Sequence, residues 1–158
     1  MINHWRGYRR LRVLIGMISG LLLAGSTGIL YGVDQANPVE TANYILALIR
    51  VNDCDGLLEM MPEEIKNTYK PFTADKRDEL MNLLKGYSEK IGDTLKVSEI
   101  REYPNLEGKT AVAAKVRKKG NFTFVIILRF LDNLYYYDNT QDILNSDYKA
   151  LKLIKKAD

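Results

Sequence analysis

The chain has 158 residues, with 23 Lys and Arg against 20 Asp and Glu. Four of the basic residues, Arg6, Arg9, Arg10 and Arg12, precede residue 13, where no acidic residue occurs, so the rest of the chain holds 19 basic and 20 acidic groups. Residues 34–158 therefore lack the basic surplus of a nucleic-acid binder; the single cysteine excludes an intramolecular disulfide, and the only histidine, His4, lies in the tail, away from any general-base role in the remainder.

Residues 1–12 read as a basic cytoplasmic tail and Val13–Val33 as a transmembrane helix or signal anchor, twenty-one residues without a charge. At a rise of about 1.5 Å per residue such a segment spans roughly 30 Å, the hydrocarbon thickness of a bilayer. Its backbone amides have no partner in lipid other than each other, which predicts a helix despite five glycines. The arginine flank favours the cytoplasmic side, which predicts a single-pass cell-membrane protein with its N-terminus inside and residues 34–158 outside. The rival reading is a cleaved signal peptide and a secreted domain, with Ala24-Gly25-Ser26 as the small-x-small site. Cleavage there leaves the apolar Ile29–Val33 at a new N-terminus, and cleavage after Ala36 puts Asp34 where a small residue is preferred. Length favours the uncleaved anchor. Gly16, Gly20, Ala24, Gly28 and Gly32 recur every fourth residue and form a small-residue stripe of the kind that brings helix backbones together. That points to a homo-oligomer or a partner helix, although Gly is also common in membrane helices generally.

After a linker at 34–37, residues 38–158 form an extracytoplasmic domain of a size that buries a full core. Asn37-Pro38 with Glu40 marks a helix start. Val39, Ala42, Ile45, Leu46 and Ile49 give this first helix one apolar face, and Asn52-Asp53 ends it. A short second helix carries Leu57, Leu58, Met60 and Met61 up to Pro62; Glu63 to Tyr69 adds a turn or two before Pro71. A longer helix runs from about Thr73 to Lys90. After Gly92 the apolar period changes from 3.6 to two. The first strand contains Leu95 and Val97 and reaches Tyr103; Pro104 to Gly108 is a turn. Val112, Ala114 and Val116 alternate in the second strand, and Lys119-Gly120-Asn121 makes a hairpin, with Arg117-Lys118-Lys119 as its solvated charges. The third strand, Phe122 to Leu131, is apolar on both faces and is predicted to be covered on both. Asp132-Asn133 turns into a fourth strand, Leu134 to Tyr137, and Asp142 caps a final amphipathic helix carrying Leu144, Tyr148 and Leu151 and ending at Lys155-Lys156. Helices followed by a meander give an α+β class: a curved antiparallel sheet of about four strands, helices packed on it, and a C-terminal helix.

The stretch Tyr44–Met61 resembles the opening helix, Asp-containing turn and second helix of the nuclear-transport-factor-2-like superfamily, in its small bacterial extracytoplasmic branch. The hairpin pair from Thr110 to Asp138 is similar to that group's closing strands, with Leu134-Tyr135-Tyr136-Tyr137-Asp138 in the last; family members often carry tryptophan where Tyr135 or Tyr136 stands. The resemblance covers about residues 38–142 and implies a sheet wrapped around helices into a cone whose open end holds a small molecule. It implies a binding or assembly module, or a cone-type enzyme using Asp with His or Tyr.

No Ser/His/Asp set, metal-ligand cluster or Gly-rich phosphate loop is present, so no catalytic residue, metal or cofactor is expected. Tyr135, Tyr136 and Tyr137 alternate sides of their strand, which makes them a ligand or partner surface on one reading and core packing on the other. Asp53 and Asp55 lack the further ligands of a calcium loop and read as a helix connection; Cys54, without cationic neighbours in sequence, reads as structural. Asn121-Phe122-Thr123 matches a glycosylation acceptor, a pattern that arises by chance as readily. The expected function is a non-enzymatic binding or interaction module held at the membrane. The alternatives are a small enzyme acting on an apolar molecule through a carboxylate–tyrosine pair, or a secreted domain.

Overall fold

The computed structural model describes residues 32–106 and 109–157, with the backbone alone at 105, 106 and 109. Most of the 13–33 segment lies outside these residues, including Gly16, Gly20, Ala24 and Gly28. Gly32 is described and takes φ +78° in a turn, a conformation outside a right-handed helix, so it drops out of the expected stripe.

Four helices come first, with starts set by local chemistry. In α1 (Pro38–Val51) the Asn37 side chain accepts from the Val39 N–H and donates to Glu40, and Asn52 closes the helix at φ 55°. Asp53 caps α2 (Cys54–Glu59) by accepting from the Gly56 N–H at 2.9 Å. Pro62 precedes α3 (Glu63–Tyr69), and Thr73 caps α4 (Ala74–Ile91), which stops at Gly92 with φ +60°. All four lie where periodicity and caps predict.

The sheet has five strands: β1 (Glu99–Leu106), β2 (Lys109–Lys119), β3 (Phe122–Leu131), β4 (Leu134–Leu144) and, after a six-residue helix α5 (Asn145–Ala150), β5 (Leu153–Lys156). Their order is β4-β3-β2-β1-β5, every pairing antiparallel. Three expectations are corrected here. First, β1 starts at Glu99, because the Asn43 side chain on α1 takes the Val97 N–H at 2.8 Å and leaves Leu95 70% exposed. Second, β4 runs on to Leu144, since β3 offers a ladder along its whole length. A bulge between Ile127 and Leu128 absorbs one extra residue. Asp142 therefore sits on a strand opposite Phe124, paired with Lys90 at 2.6 Å, and caps no helix. Third, the C-terminal helix is short. The Arg101 guanidinium takes the carbonyls of Lys149 and Leu151, at 3.1 and 2.7 Å, and the chain turns to form β5 against β1.

Two cores flank the sheet. The helix-facing core joins Ile45, Leu46 and Ile49 of α1, Leu57 and Met60, Leu80, Leu84 and Ile91 of α4 to Ile100, Val112, Ala114, Phe124, Ile126 and Leu128. The opposite face carries Ala111, Ala113, Val125 and Ile127 under Tyr148 of α5. β3 is thus covered on both faces, as its unbroken apolar run predicts. Each Leu, Ile, Val, Met and Phe side chain among these contributes roughly 1.5–3 kcal/mol on burial, so the two cores hold the helices and α5 to the sheet.

The outer edge of β4 is also covered. The Tyr135 N–H donates to the Gln35 carbonyl at 2.8 Å and the Tyr137 N–H to the Met60 carbonyl at 2.7 Å. Gln35 is buried and its amide reaches back to the Tyr135 carbonyl and the Met60 sulfur. β5 closes the other end of the sheet with no strand beyond it among the described residues.

Candidate functional site

Strand parity decides the three tyrosines. Tyr137 is 3% exposed and packs into the helix-facing core opposite Leu128; burial pushes its hydroxyl well above the ordinary tyrosine range. Tyr135 points the same way, half-buried, its ring 4.8 Å from Phe130, and burial raises its pKa too. Tyr136 alternates to the other side of β4, where its register partner is Arg129. The structure brings Tyr135 and Tyr137 together as packing residues and leaves Tyr136, half-buried, as the surface member of the three.

The space between helices and sheet is filled. Ile45, Leu46, Ile49, Leu57, Met60, Leu84 and Ile126 are all fully buried there. The buried polar residues among the described ones are Gln35, Thr41, Thr123 and Thr140, and one carboxylate side chain, that of Asp138 on β4, is buried as well, paired with Arg129. A concavity does lie on the opposite face. Tyr103 and Pro104 of β1, Gln141 and Ile143 of β4, Phe122 and Leu151 line an open groove of about 400 Å³. Its floor is tied by a hydrogen bond from the Gln141 amide to the Tyr103 hydroxyl. Phe122 and its register partner Leu144 stay 47% and 45% exposed at its end, an apolar lip.

Two charged clusters escaped the sequence reading. On the outer face, Glu99 bridges Arg101 at 3.3 Å and Lys115 at 3.4 Å. Burial pushes the Glu99 carboxyl up, but hydrogen bonds and charge from Arg101 and Lys115 outweigh it and hold the group below the usual carboxylate range. The same two cations approach the Tyr148 ring, 5.1 and 5.9 Å from its centroid. Burial, then the Glu99 charge, raises the Tyr148 hydroxyl above the ordinary range. At the other end of the sheet Arg129 pairs with Asp138 on β4 and with Glu64 on α3, which fastens that helix to the sheet. The available signal was a lone charge, Arg129, in the largely apolar Phe122–Leu131, while the Glu99 cluster needed the register that sets Lys115 of β2 opposite Glu99 of β1, two residues from Arg101.

The remaining sequence candidates resolve into structural roles. Asp53 is a helix cap and Asp55 pairs with Arg77 at 2.7 Å, so this segment is a helix connection. Cys54 is buried, and burial pushes its thiol up, away from a reactive thiolate. Asn121 lies exposed in the β2–β3 turn, while Thr123 is buried and donates to Asn145 at 2.7 Å. Among the described residues no group of three or more His, Cys, Asp or Glu is arranged to hold a metal ion. No helix among them is long and apolar enough to cross a membrane. No family model matches this chain, and no curated protein or solved structure is significantly similar to it.

Proposed function

We propose that this protein is a membrane-anchored extracytoplasmic binding or interaction module without catalytic chemistry of its own. The observation that carries the reading is the filled interior. A cone enzyme needs a chamber with a carboxylate in it, and here the helix-facing side of the sheet is occupied by aliphatic side chains, while the buried carboxylate of Asp138 is taken up by its ion pair with Arg129. Recognition then falls to the outside of the sheet, where the groove beside α5 and its Phe122–Leu144 lip expose apolar surface. The Val13–Val33 run and its arginine flank supply the anchor. A curved, cone-like sheet and kinship with the nuclear-transport-factor-2-like superfamily belong to the same proposal, on the residue patterns at 44–61 and 110–138 and the helices-then-meander order.

The test is topology. With epitope tags at each end of the chain, protease added to intact spheroplasts is expected to remove the C-terminal tag and spare the N-terminal one. Protection of both, or loss of both from washed membranes, contradicts the reading.

A further inference from the structure

We propose that the β3–β4 hairpin end of the domain rests on the lipid headgroup layer of the membrane that holds the chain, with Tyr136 at the contact. This rests on the anchored reading and adds an orientation to it. The apolar run ends at Val33, and only Asp34 separates that residue from Gln35. Gln35 is no loose linker residue: it is 3% exposed, and its carbonyl accepts the Tyr135 N–H at 2.8 Å. Two Cα–Cα steps of about 3.8 Å and that hydrogen bond keep Tyr135 within roughly 12 Å of the end of the run. A headgroup layer is about 5–7 Å deep on each side, so β4 begins at or just above it.

The residues held there suit that layer. Phe130, Leu131, Leu134, Tyr135 and Tyr136 at the closing end of the hairpin are all half-buried rather than sealed in the core. Aromatic rings with a polar tip concentrate at the membrane–water boundary. Asp34 and Asp132 are exposed at the same end, which favours zwitterionic headgroups over an anionic surface. The opposite edge, β5, stands four strand spacings away, roughly 19 Å across the sheet, and its register through Arg101 and Ala113 sets it level with Ile127, back from the Asp132-Asn133 turn.

The experiment uses the full chain in phosphatidylcholine vesicles, with the single native tryptophan removed by Trp5→Phe. Tyr136→Trp and Leu134→Trp report on the hairpin end, and Ile154→Trp, 48% exposed on β5, reports on the far edge. Headgroup-spin-labelled lipid is expected to quench the first two several-fold more than the third, with circular dichroism unchanged. Equal quenching at all three positions in chains that float with carbonate-washed vesicles overturns the orientation and leaves the anchor standing. Failure of the chain to float overturns both.

Discussion

Glu99 shows how one side chain carries a measurable part of this structure. It is only 15% exposed and ties Arg101 and Lys115 together beneath Tyr148. Its folded pKa lies below the ordinary glutamate value, so its contribution is complete above the unfolded pKa and disappears as pH falls through the lower folded one. Glu99→Gln is expected to cost about 1–3 kcal/mol at pH 7 and to flatten the acid limb of stability, read from urea unfolding at neutral and acid pH. An unchanged acid limb removes Glu99 from the account. Glycines give a second check of opposite sign. A Cβ on Gly56 would stand 2.7 Å from both Leu48 Cδ2 and Asp53 Oδ2, whereas one on Gly86, inside α4, meets nothing within 4 Å. Thermal melts should show Gly56→Ala destabilised by about 1–3 kcal/mol and Gly86→Ala stabilised by up to ~1 kcal/mol. Neither Glu99's partners nor Gly56's crowding was legible in the sequence, because both depend on which side chains the sheet register and helix packing bring together.

At the scale of elements, the four helices and the first hairpins were legible because their signals are local. Asn37-Pro38, Asp53 and Thr73 are caps whose partners lie two or three residues away. The C-terminal third was not. From Asp138 on, β4 is held by pairing with β3, and β5 by bonds between residues about fifty positions apart, such as Arg101 with Leu151. An apolar pattern at helical spacing in Leu144, Tyr148 and Leu151 yields to these long-range bonds, and only Asn145–Ala150 stays helical. The tyrosine run was half legible: alternation fixed the sides, while the burial of Tyr137 needed α1 and Met60 in place. The small-residue stripe belongs at this scale too. With Gly32 in a turn, self-association would rest on Gly16, Gly20, Ala24 and Gly28. Crosslinking in membranes is expected to show a dimer that Gly20→Ile with Gly28→Ile abolishes; an unchanged dimer yield rejects that interface.

At the scale of the whole molecule, the fold divides its two sheet edges between different tasks. The β4 edge is consumed by Gln35 and Met60, whose carbonyls take the Tyr135 and Tyr137 N–H groups. The β5 edge is short, bulged and carries Lys155 and Lys156, features that discourage strand addition by another chain. Between them the two cores leave the sheet closed on the helix side and grooved on the other. The anchor is the central claim, and the intact mass of the chain recovered from carbonate-washed membranes tests it most directly. The account predicts the full-length 18.1 kDa species in the membrane pellet. A shorter, soluble chain beginning after Ser26 or Ala36 would contradict it.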